Sequence, residues 1–286
     1  MIMKKTSFLF ALGLFAAVLT AKSDDLSGIV TARLVQPDGA TTAFVLADPA
    51  KPTVAVSASG ADAAALLPRN QVKLSGTSAD GAFGKTLQAK AGSVTVGETN
   101  QPFKSQPITA AAFKDASASA GNYVQVAGVT FVADKFDASG TAQVKAEDGT
   151  VINLLVSKGV AGHATPKGVT DVFGVVVKSG DAWKLVAARF LPANRKAMTE
   201  LATKATCITC HTPDTKVVGP SYRDVAAHYR NDPEANAKLV AQMKAGGTGK
   251  WGAVPMPPLA ATVQPDDMQK LAEWVMSYRW DALLAE

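Results

Sequence analysis

Two cysteines and a histidine lie within five consecutive residues, as Cys207, Cys210 and His211. Thiols three positions apart on one helical turn can add to the two vinyl groups of a haem, while the adjacent imidazole reaches the iron from one face. The same residues could instead form a redox dithiol or half of a zinc site. A dithiol is typical of a βαβ context, which is absent here, and zinc needs more ligands than His211 supplies. The spacing therefore predicts one covalently attached haem c.

A second axial ligand is predicted from the proline-rich segment that contains Met256. Prolines on both sides of it stiffen this loop, and a stiff loop holds a weak thioether ligand at low entropic cost. Four other methionines fall in predicted helices, where core packing accounts for them: Met198, Met243, Met268 and Met276. We expect His163 to be a loop residue and His228 to be solvated, so Met256 is favoured over both. If His211 and Met256 fill both axial positions, no substrate binds the iron and the chemistry reduces to moving one electron.

Helical periodicity begins after Pro192 and continues to the end of the chain. Ser221 and Asp224 form the pattern of a capping box at a helix start. Asp232 is predicted to cap a further helix, which ends at Gly246-Gly247. The last helix, from about residue 265, has a stripe at the spacing of a buried face: Met268, Leu271, Ala272, Val275 and Met276. We predict an all-α domain over residues 193–286.

Residues 26–192 show a different pattern, with short alternating runs rich in Val, Thr, Phe and Ala that are broken by Asp-Gly and Ser-Gly pairs. This pattern predicts antiparallel strands. A shift of 98 positions places five residues of the first half on the second without a gap: Pro68 on Pro166, Leu74 on Val172, Gly76 on Gly174, Leu87 on Leu185 and Ala89 on Ala187. Two copies of one β module are therefore expected. Each is predicted to have three strands, a short helical or loop stretch and two more strands, an order that resembles the OB-fold.

The helical part also resembles a known family. From about residue 194 to 278 the sequence contains CITCH, then VVGPSYRDVAAHYR, then KWGAVPMPP and a closing LAEWVMSYR helix. In combination these motifs resemble the small bacterial class I cytochromes c. The resemblance implies that His211 is the proximal ligand and Met256 the distal one, that the Pro220 carbonyl orients His211, and that Trp251 approaches a haem propionate. The glycine often found before the first cysteine is absent, with Ala205 and Thr206 in its place.

The predicted fold class is therefore multidomain, with two small all-β OB-like barrels followed by an all-α class I cytochrome c domain. We place a signal peptide at residues 1–23, the β modules at 24–97 and 108–192, and a polar, proline-interrupted connector at 98–107. The haem domain takes the remaining residues, 193–286.

The amino terminus predicts export. Lys4 and Lys5 precede a twelve-residue apolar run, and small residues follow it, as in a secretory signal. Cleavage could follow Ala21 or Ser23. The alternative is an uncleaved membrane anchor, but the run is shorter than the ~20 residues that span a bilayer. We therefore expect a periplasmic or otherwise exported protein without a stable membrane span after cleavage.

The charge of the chain offers little support for a polyanionic partner. Without the signal segment, 27 basic residues face 24 acidic ones, and residues 196–286 carry ten of each. Neither half has the concentrated positive field of a nucleic-acid binder, so no nucleic acid is expected as a partner. The aromatic residues of the β modules are scattered at strand spacing, which favours core positions over a base-stacking platform.

The leading hypothesis is an electron carrier rather than an enzyme, with redox proteins as donor and acceptor and with the β modules serving partner docking or spacing. One alternative is a haem peroxidase or reductase in which Met256 leaves the iron on activation. The sequence offers neither a second haem motif nor a distal acid–base pair for this. Another alternative is a carbohydrate or protein receptor formed by the β modules, with the haem domain as its redox terminal.

Overall fold

The structure is a computed structural model that describes residues 24–286. The predicted signal peptide at residues 1–23 lies outside the described residues. Within residues 24–286, no helix has both the length and the apolar character that crossing a membrane requires. Two six-stranded sheets come first along the chain, and a helical region follows them.

The first β module is a ring of five strands with a sixth strand attached. Its elements are β1 (Asp24–Val35), β2 (Thr41–Leu46), β3 (Val54–Ala58), α1 (Gly60–Ala65), β4 (Gln71–Gly81), β5 (Gly84–Ala89) and β6 (Thr95–Val96). The pairings run β1-β2-β3-β5-β4 and return from β4 to β1, with β6 on the outer side of β4. Only β3 and β5 pair in parallel within this module. The ring encloses a core of Val, Leu and Ala side chains that includes Val45, Val56 and Leu66.

The second β module repeats this arrangement. Its strands are β7 (Gln106–Ile108), β8 (Tyr123–Phe131), β9 (Thr141–Lys145), β10 (Val151–Leu155), β11 (Thr170–Ser179) and β12 (Ala182–Pro192). Short 3-10 turns occupy Ala110–Asp115, Ser117–Ser119 and Lys158–Val160. The pairings run β8-β9-β10-β12-β11 and return from β11 to β8. Within this ring only β10 and β12 pair in parallel, and the additional strand β7 pairs in parallel with β8.

The internal repeat predicted from the sequence is present in the strand register. Gly76 pairs with Ala89 in the first module, and Gly174 pairs with Ala187 at the matching place in the second. A Cβ atom on Gly76 would lie 2.2 Å from the Gln88 carbonyl oxygen of the neighbouring strand. A Cβ atom on Gly174 would lie 2.1 Å from the Val186 carbonyl oxygen, which occupies the matching place in the second module. Both modules therefore use a glycine because two backbones approach closely at the same point.

The helical region contains five helices and one 3-10 turn. These are α2 (Arg195–Lys204), the 3-10 turn Cys207–Thr209, α3 (Tyr222–His228), α4 (Ala235–Ala245), α5 (Pro265–Met276) and α6 (Arg279–Leu283). The predicted capping box at α3 is confirmed on one side, since the Ser221 hydroxyl accepts a hydrogen bond from the Asp224 backbone N–H at 3.0 Å. The predicted end of α4 at Gly246 is confirmed as well.

Asp232 does not cap α4 directly. Its carboxylate accepts from the Glu234 backbone N–H in a preceding turn, at 2.9 Å, and the helix itself begins at Ala235. The physical reason is that a short side chain two residues before an N–H forms a local turn in preference to a helix cap.

Helix α6 packs into the second β module rather than against the other helices alone. Trp280, Leu283 and Leu284 join the same hydrophobic cluster as Phe136 and Phe190. The Trp280 ring lies 5.5 Å from the Phe136 ring and 5.9 Å from the Phe190 ring, centroid to centroid. The C-terminal end of the helical region therefore completes the core of a β module.

The three parts are also joined directly. The buried Ser157 hydroxyl of the second module accepts a hydrogen bond from the Val35 N–H at 3.0 Å and donates one to the Arg33 carbonyl at 3.2 Å. A single apolar cluster runs from Phe44 in the first module through Phe173 in the second to Trp274 in α5. The β modules thus form a support against which the helices pack.

Candidate functional site

The helical region contains a mainly apolar cavity of about 510 Å³. All six residues that the sequence singled out line it: Cys207, Cys210, His211, Pro220, Trp251 and Met256. They come from three separate segments, namely the turn after α2, the loop before α3 and the loop between α4 and α5. The fold therefore brings together residues that are up to 49 positions apart in the chain.

The two cysteines and the histidine lie on one tight turn. The Cys207 carbonyl accepts hydrogen bonds from the Cys210 N–H at 3.2 Å and from the His211 N–H at 2.9 Å. This turn keeps both thiols and the imidazole on the cavity wall. Both cysteines are free and half-buried, so each is available for a thioether bond to a ligand in the cavity.

The His211 imidazole is fixed through one of its two nitrogens. Its Nδ1 lies 2.7 Å from the Pro220 carbonyl oxygen. Because a carbonyl can only accept, Nδ1 carries the hydrogen and Nε2 keeps its lone pair for a metal. The Tyr222 ring stacks on the imidazole, with centroids 5.9 Å apart and planes within 19°.

Gly219 explains how close the backbone can come to this ring. A Cβ atom at Gly219 would lie 2.4 Å from His211 Cε1 and would have to displace the imidazole. Sequence reasoning assigned no role to Gly219 or to Tyr222. The Gly-Pro pair at 219–220 was the available signal for a close backbone approach.

Met256 is held on another part of the cavity wall by the backbone. Its N–H donates to the Gly247 carbonyl at 2.8 Å, and its carbonyl accepts from the Gly247 N–H at 2.9 Å. Gly246 has a φ of +65°, and a Cβ atom there would lie 2.5 Å from the Met256 carbonyl oxygen. This two-bond bridge, together with the flanking prolines, keeps the thioether in one place.

Two further residues of the cavity bear on its chemistry. Met243, which the sequence assigned to a helix core, is buried and also lines the cavity. Trp251 lines it too, and its ring contacts that of His228 at 5.2 Å between centroids. His228 is exposed, as expected. The cavity thus offers two thioethers, of which only Met256 lies in a loop.

The alternative metal and redox sites gain no support from the geometry. Burial raises the pKa of the Cys207 thiol, whereas a redox dithiol needs a lowered one. Across residues 24–286, no cluster of three or more His, Cys, Asp or Glu side chains could hold a metal ion. A zinc site therefore lacks the ligands it needs within that part of the chain.

A group of buried charges lies behind the loop that carries His211. Asp214 of this loop pairs with Arg189 of β12 at 2.6 Å, and Arg189 also binds Asp281 of α6 through two nitrogens. Arg69 of the first module lies 3.6 Å from Asp214. Burial alone would raise the pKa of Asp214, but the charge of Arg189 and its hydrogen bond, with the charge of Arg69, outweigh burial and lower that pKa. Sequence reasoning missed this network, because nothing in the spacing of these residues indicates that they meet.

Comparison with known proteins agrees with this geometry. The cytochrome c family model matches residues 198–279. Over 76 residues the chain is 49% identical to cytochrome c-551 of Allochromatium vinosum, which corresponds to 27% of this chain and 80% of that relative. The chain belongs to the cytochrome c family. It is also similar to cytochrome c-551 of Pseudomonas aeruginosa, with 48% identity over 73 residues, 26% of this chain and 68% of that relative.

A solved structure is also similar in sequence. The crystal structure of wild-type Nitrosomonas europaea cytochrome c552 is 41% identical, with a TM-score of 0.27, over 28% of this chain and 98% of that one. The family model and the two c-551 relatives confirm the resemblance predicted from the sequence for the helical region. As a cytochrome c, this chain binds one covalently attached haem c. Its relatives support single-haem electron transfer as the activity of that region.

The residues of this cytochrome c region fit such a group. The cavity provides two free thiols, an imidazole with an available nitrogen and a backbone-anchored thioether. Its lining also contains two buried polar atoms, Tyr222 Oη and Trp274 Nε1, that have no hydrogen-bond partner among residues 24–286. Buried polar atoms usually have partners, and the side chains that carry these two unpaired atoms belong to the wall of the cavity.

Proposed function

We propose that this protein is an exported, single-haem electron carrier in which Cys207 and Cys210 hold the haem and His211 and Met256 are its axial ligands. The observation that carries the proposal is that all four residues line one cavity of about 510 Å³. When bound, haem c supplies an iron that takes up and releases one electron. The remaining task of the protein is to keep the surrounding side chains in place.

The wall of the cavity performs this task. The Pro220 carbonyl fixes the tautomer and the orientation of His211, and the Gly247 bridge fixes Met256. A thioether opposite an imidazole raises the reduction potential, and the apolar lining adds to this because it excludes water from the iron. Because these groups are already in position, electron transfer requires little rearrangement.

We propose that partner proteins dock at the rim of this cavity. Four large apolar residues of the region are exposed there or next to it: Ile208, Val217, Val218 and Val254. Val218 and Val254 line the cavity itself. Exposed apolar residues around a functional opening are typical of a protein–protein contact surface. Donor and acceptor would be redox proteins that cover this rim in turn.

We further propose that the two β modules are OB-like barrels that space and orient the haem domain. The closed five-strand pairings, each with a single parallel pair within the ring, support the OB-like assignment. The division into modules at 24–97 and 108–192, a connector at 98–107 and a haem domain at 193–286 belongs to the same proposal. Export and periplasmic location rest on the sequence pattern of residues 1–23 and on the resemblance to bacterial class I cytochromes c.

The axial ligand is tested by two matched substitutions, Met256→Leu and Met243→Leu. Both keep the side-chain volume nearly constant, and both residues line the cavity. We expect the parent and Met243→Leu to show the weak red absorption band of ferric iron bound to a thioether, and we expect Met256→Leu to lack it. Survival of the band in Met256→Leu, with loss in Met243→Leu, would assign the ligand to the helix instead.

The same proteins separate electron transfer from the peroxidase or reductase alternative. With Met256 bound, cyanide and peroxide should react slowly with the parent and much faster with Met256→Leu. Rapid binding of both to the parent would favour an enzyme whose sixth position opens.

A further inference from the structure

A second cleft, of about 330 Å³, opens where the two β modules, the connector and the haem domain meet. We call it the junction cleft. Its wall includes Arg69 of the first module, Phe103 of the connector, Tyr123 and Phe173 of the second module, and Arg223 of α3. It shares no lining residue with the haem cavity. Its volume falls within the range of small-molecule sites in proteins.

The charged side chains at this cleft leave one guanidinium incompletely paired. Arg189 forms ion pairs with both Asp281 and Asp214. The carboxylate that pairs with Arg69 is that of Asp214, at 3.6 Å, and Asp214 is already paired with Arg189. The buried Nε of Arg69 has no hydrogen-bond partner among residues 24–286. Arg223 donates to the Asp214 carbonyl oxygen at 3.2 Å and to the Asn100 side chain, so it pairs with no carboxylate by these contacts.

Three guanidinium groups thus share two half-buried carboxylates, which leaves an excess positive charge. Asp224 also lines the cleft but is exposed to solvent. Burial lowers the pKa of Arg69, as expected where a charge is removed from water with little compensation. A buried charge without full pairing is unfavourable until an anion joins it.

The backbone at the cleft is unusual as well. Arg69 and Asn100 have positive φ values of 73° and 59°, and they are two of the three non-glycine residues with this conformation among residues 24–286. They are linked to each other, since Arg69 Nη2 donates to the Asn100 carbonyl at 3.3 Å. A left-handed arginine is costly, and such strain tends to occur where a side chain must be presented in one direction.

Aromatic and small apolar side chains also line the cleft. The rings of Phe103 and Tyr123 meet edge to face with centroids 4.8 Å apart, and Phe173 is the third aromatic residue of the lining. Ala188, Ala282 and Ala285 line the cleft as well, and their side chains are small. Aromatic walls of this kind favour flat or apolar ligand bodies.

We propose that the junction cleft binds a small organic acid, with its carboxylate at Arg69 and Arg223 and its flat apolar body against Phe103, Tyr123 and Phe173. Arginine is suited to the head group because its planar fork matches a carboxylate in two hydrogen bonds. The site lies beside the network that joins Arg189 to Asp214, so the ligand would reinforce the junction of β modules and haem domain.

Isothermal titration calorimetry on the full-length, haem-containing protein tests the proposal, with benzoate as the probe. Its neutral counterpart benzamide has the same flat body, and inorganic phosphate has charge without that body. We expect benzoate to bind at least about tenfold more tightly than either, since benzamide cannot form charge-assisted hydrogen bonds to the guanidinium groups and phosphate cannot contact the aromatic wall. Equal binding of benzoate and benzamide, binding of phosphate alone, or no binding of benzoate would overturn the proposal.

Substitutions then locate the site. Arg69→Gln should weaken benzoate binding at least about tenfold. Lys90→Gln also removes one positive charge, at an exposed position elsewhere on the first module, and should leave benzoate binding unchanged. If Arg69→Gln fails to fold, Phe103→Ala decides the matter, because it removes part of the aromatic wall without altering charge. Benzoate affinity unchanged in a folded Arg69→Gln or in Phe103→Ala would place the ligand elsewhere and contradict the assignment.

Discussion

Thr206, immediately before the first cysteine, ends helix α2 in the left-handed conformation, with a φ of 59°. The resemblance to class I cytochromes c implied a glycine just before the first cysteine, and Ala205 and Thr206 stand in its place. The left-handed conformation costs an ordinary residue about 1–2 kcal/mol, whereas glycine adopts it freely. The haem attachment turn of this protein is therefore strained next to Cys207.

The first prediction concerns that strain. Thr206→Gly should raise the free energy of unfolding by about 0.5–1 kcal/mol, which is the relief of strain less the extra entropy of glycine in the unfolded chain. Urea denaturation followed by circular dichroism measures the change. Thr199→Gly, at an exposed position inside the same helix, is the control and should lower stability by roughly 0.3–0.5 kcal/mol, the difference between the helix propensities of threonine and glycine. A loss of stability in both variants would mean that Thr206 is not strained.

Residue types and spacing were enough to single out the candidate residues at this scale, and the structure places them around one cavity. Cys207, Cys210 and His211 are recognisable because haem attachment needs all three within one turn. Tyr222 and Gly219 were not recognisable as parts of the site, because stacking on His211 and close backbone approach depend on the path of the loop between them. Local motifs carry their own chemistry, but their neighbours are set by tertiary structure.

At the level of elements, α6 has an unexpected position. The family match ends at residue 279, and the residues beyond it insert Trp280 and Leu283 into the core of the second β module. The end of the chain therefore fastens the haem domain to its support. The sequence predicted that the helix beginning near residue 265 is the last one, so the separate helix α6 is a difference from that prediction. Periodicity identifies an apolar face but not the surface that covers it.

The second prediction tests that attachment. Trp280 is 3% exposed, so Trp280→Ala should lower the free energy of unfolding by about 3–5 kcal/mol through a cavity in the second module. Trp183→Ala, at a half-buried position in the same module, should lower the free energy of unfolding clearly less than Trp280→Ala does. Unfolding followed by the far-ultraviolet signal of the strands and by haem absorbance should shift together in Trp280→Ala. A change confined to the haem signal would show that α6 does not support the β module.

The strand pattern was more informative than the helix boundaries. The alternation and the 98-residue repeat predicted three strands, a short helical or loop stretch and two more strands in each module, and the structure has these elements in that order together with the additional strands β6 and β7. The matching glycines Gly76 and Gly174 confirm the repeat. The start of α4 differs from the prediction, because Asp232 forms a local turn before the helix. Repeats report a whole module at once, whereas helix starts depend on competing local hydrogen bonds.

At the scale of the whole molecule, the network around Arg189 holds the parts together. Asp214 comes from the haem-binding loop, Arg189 from the second β module and Arg69 from the first. No sequence pattern assigned a role to these positions. Their pairing depends on how three separately folded parts pack, and no periodicity or local motif contains that information.

The third prediction follows from the lowered pKa of Asp214. A carboxyl whose pKa is lower in the folded than in the unfolded state stabilises the protein fully above its unfolded value, about 3.9, and loses that contribution as the pH falls through the folded value. Asp214→Asn should therefore lower the free energy of unfolding by roughly 2 kcal/mol at pH 7. This is less than the loss expected on breaking an isolated buried ion pair, because Arg189 remains paired with Asp281. The difference from the parent should shrink at pH 3.

Urea unfolding at the two pH values checks this, with Asp181→Asn as the control. Asp181 is exposed, so its substitution should leave stability nearly unchanged at both pH values. A difference between Asp214→Asn and the parent that stays constant from pH 7 to pH 3 would show that the charge of Asp214 does not support the junction.

The most direct test of the account is the intact mass of the purified protein, produced in a host that attaches haem to exported proteins. We predict a mass equal to the polypeptide plus one haem, retained after acid–acetone extraction, and a bare polypeptide for the double variant Cys207→Ala, Cys210→Ala. A parent protein that also has the mass of the polypeptide alone would contradict the assignment of this chain's cavity as a covalent haem site.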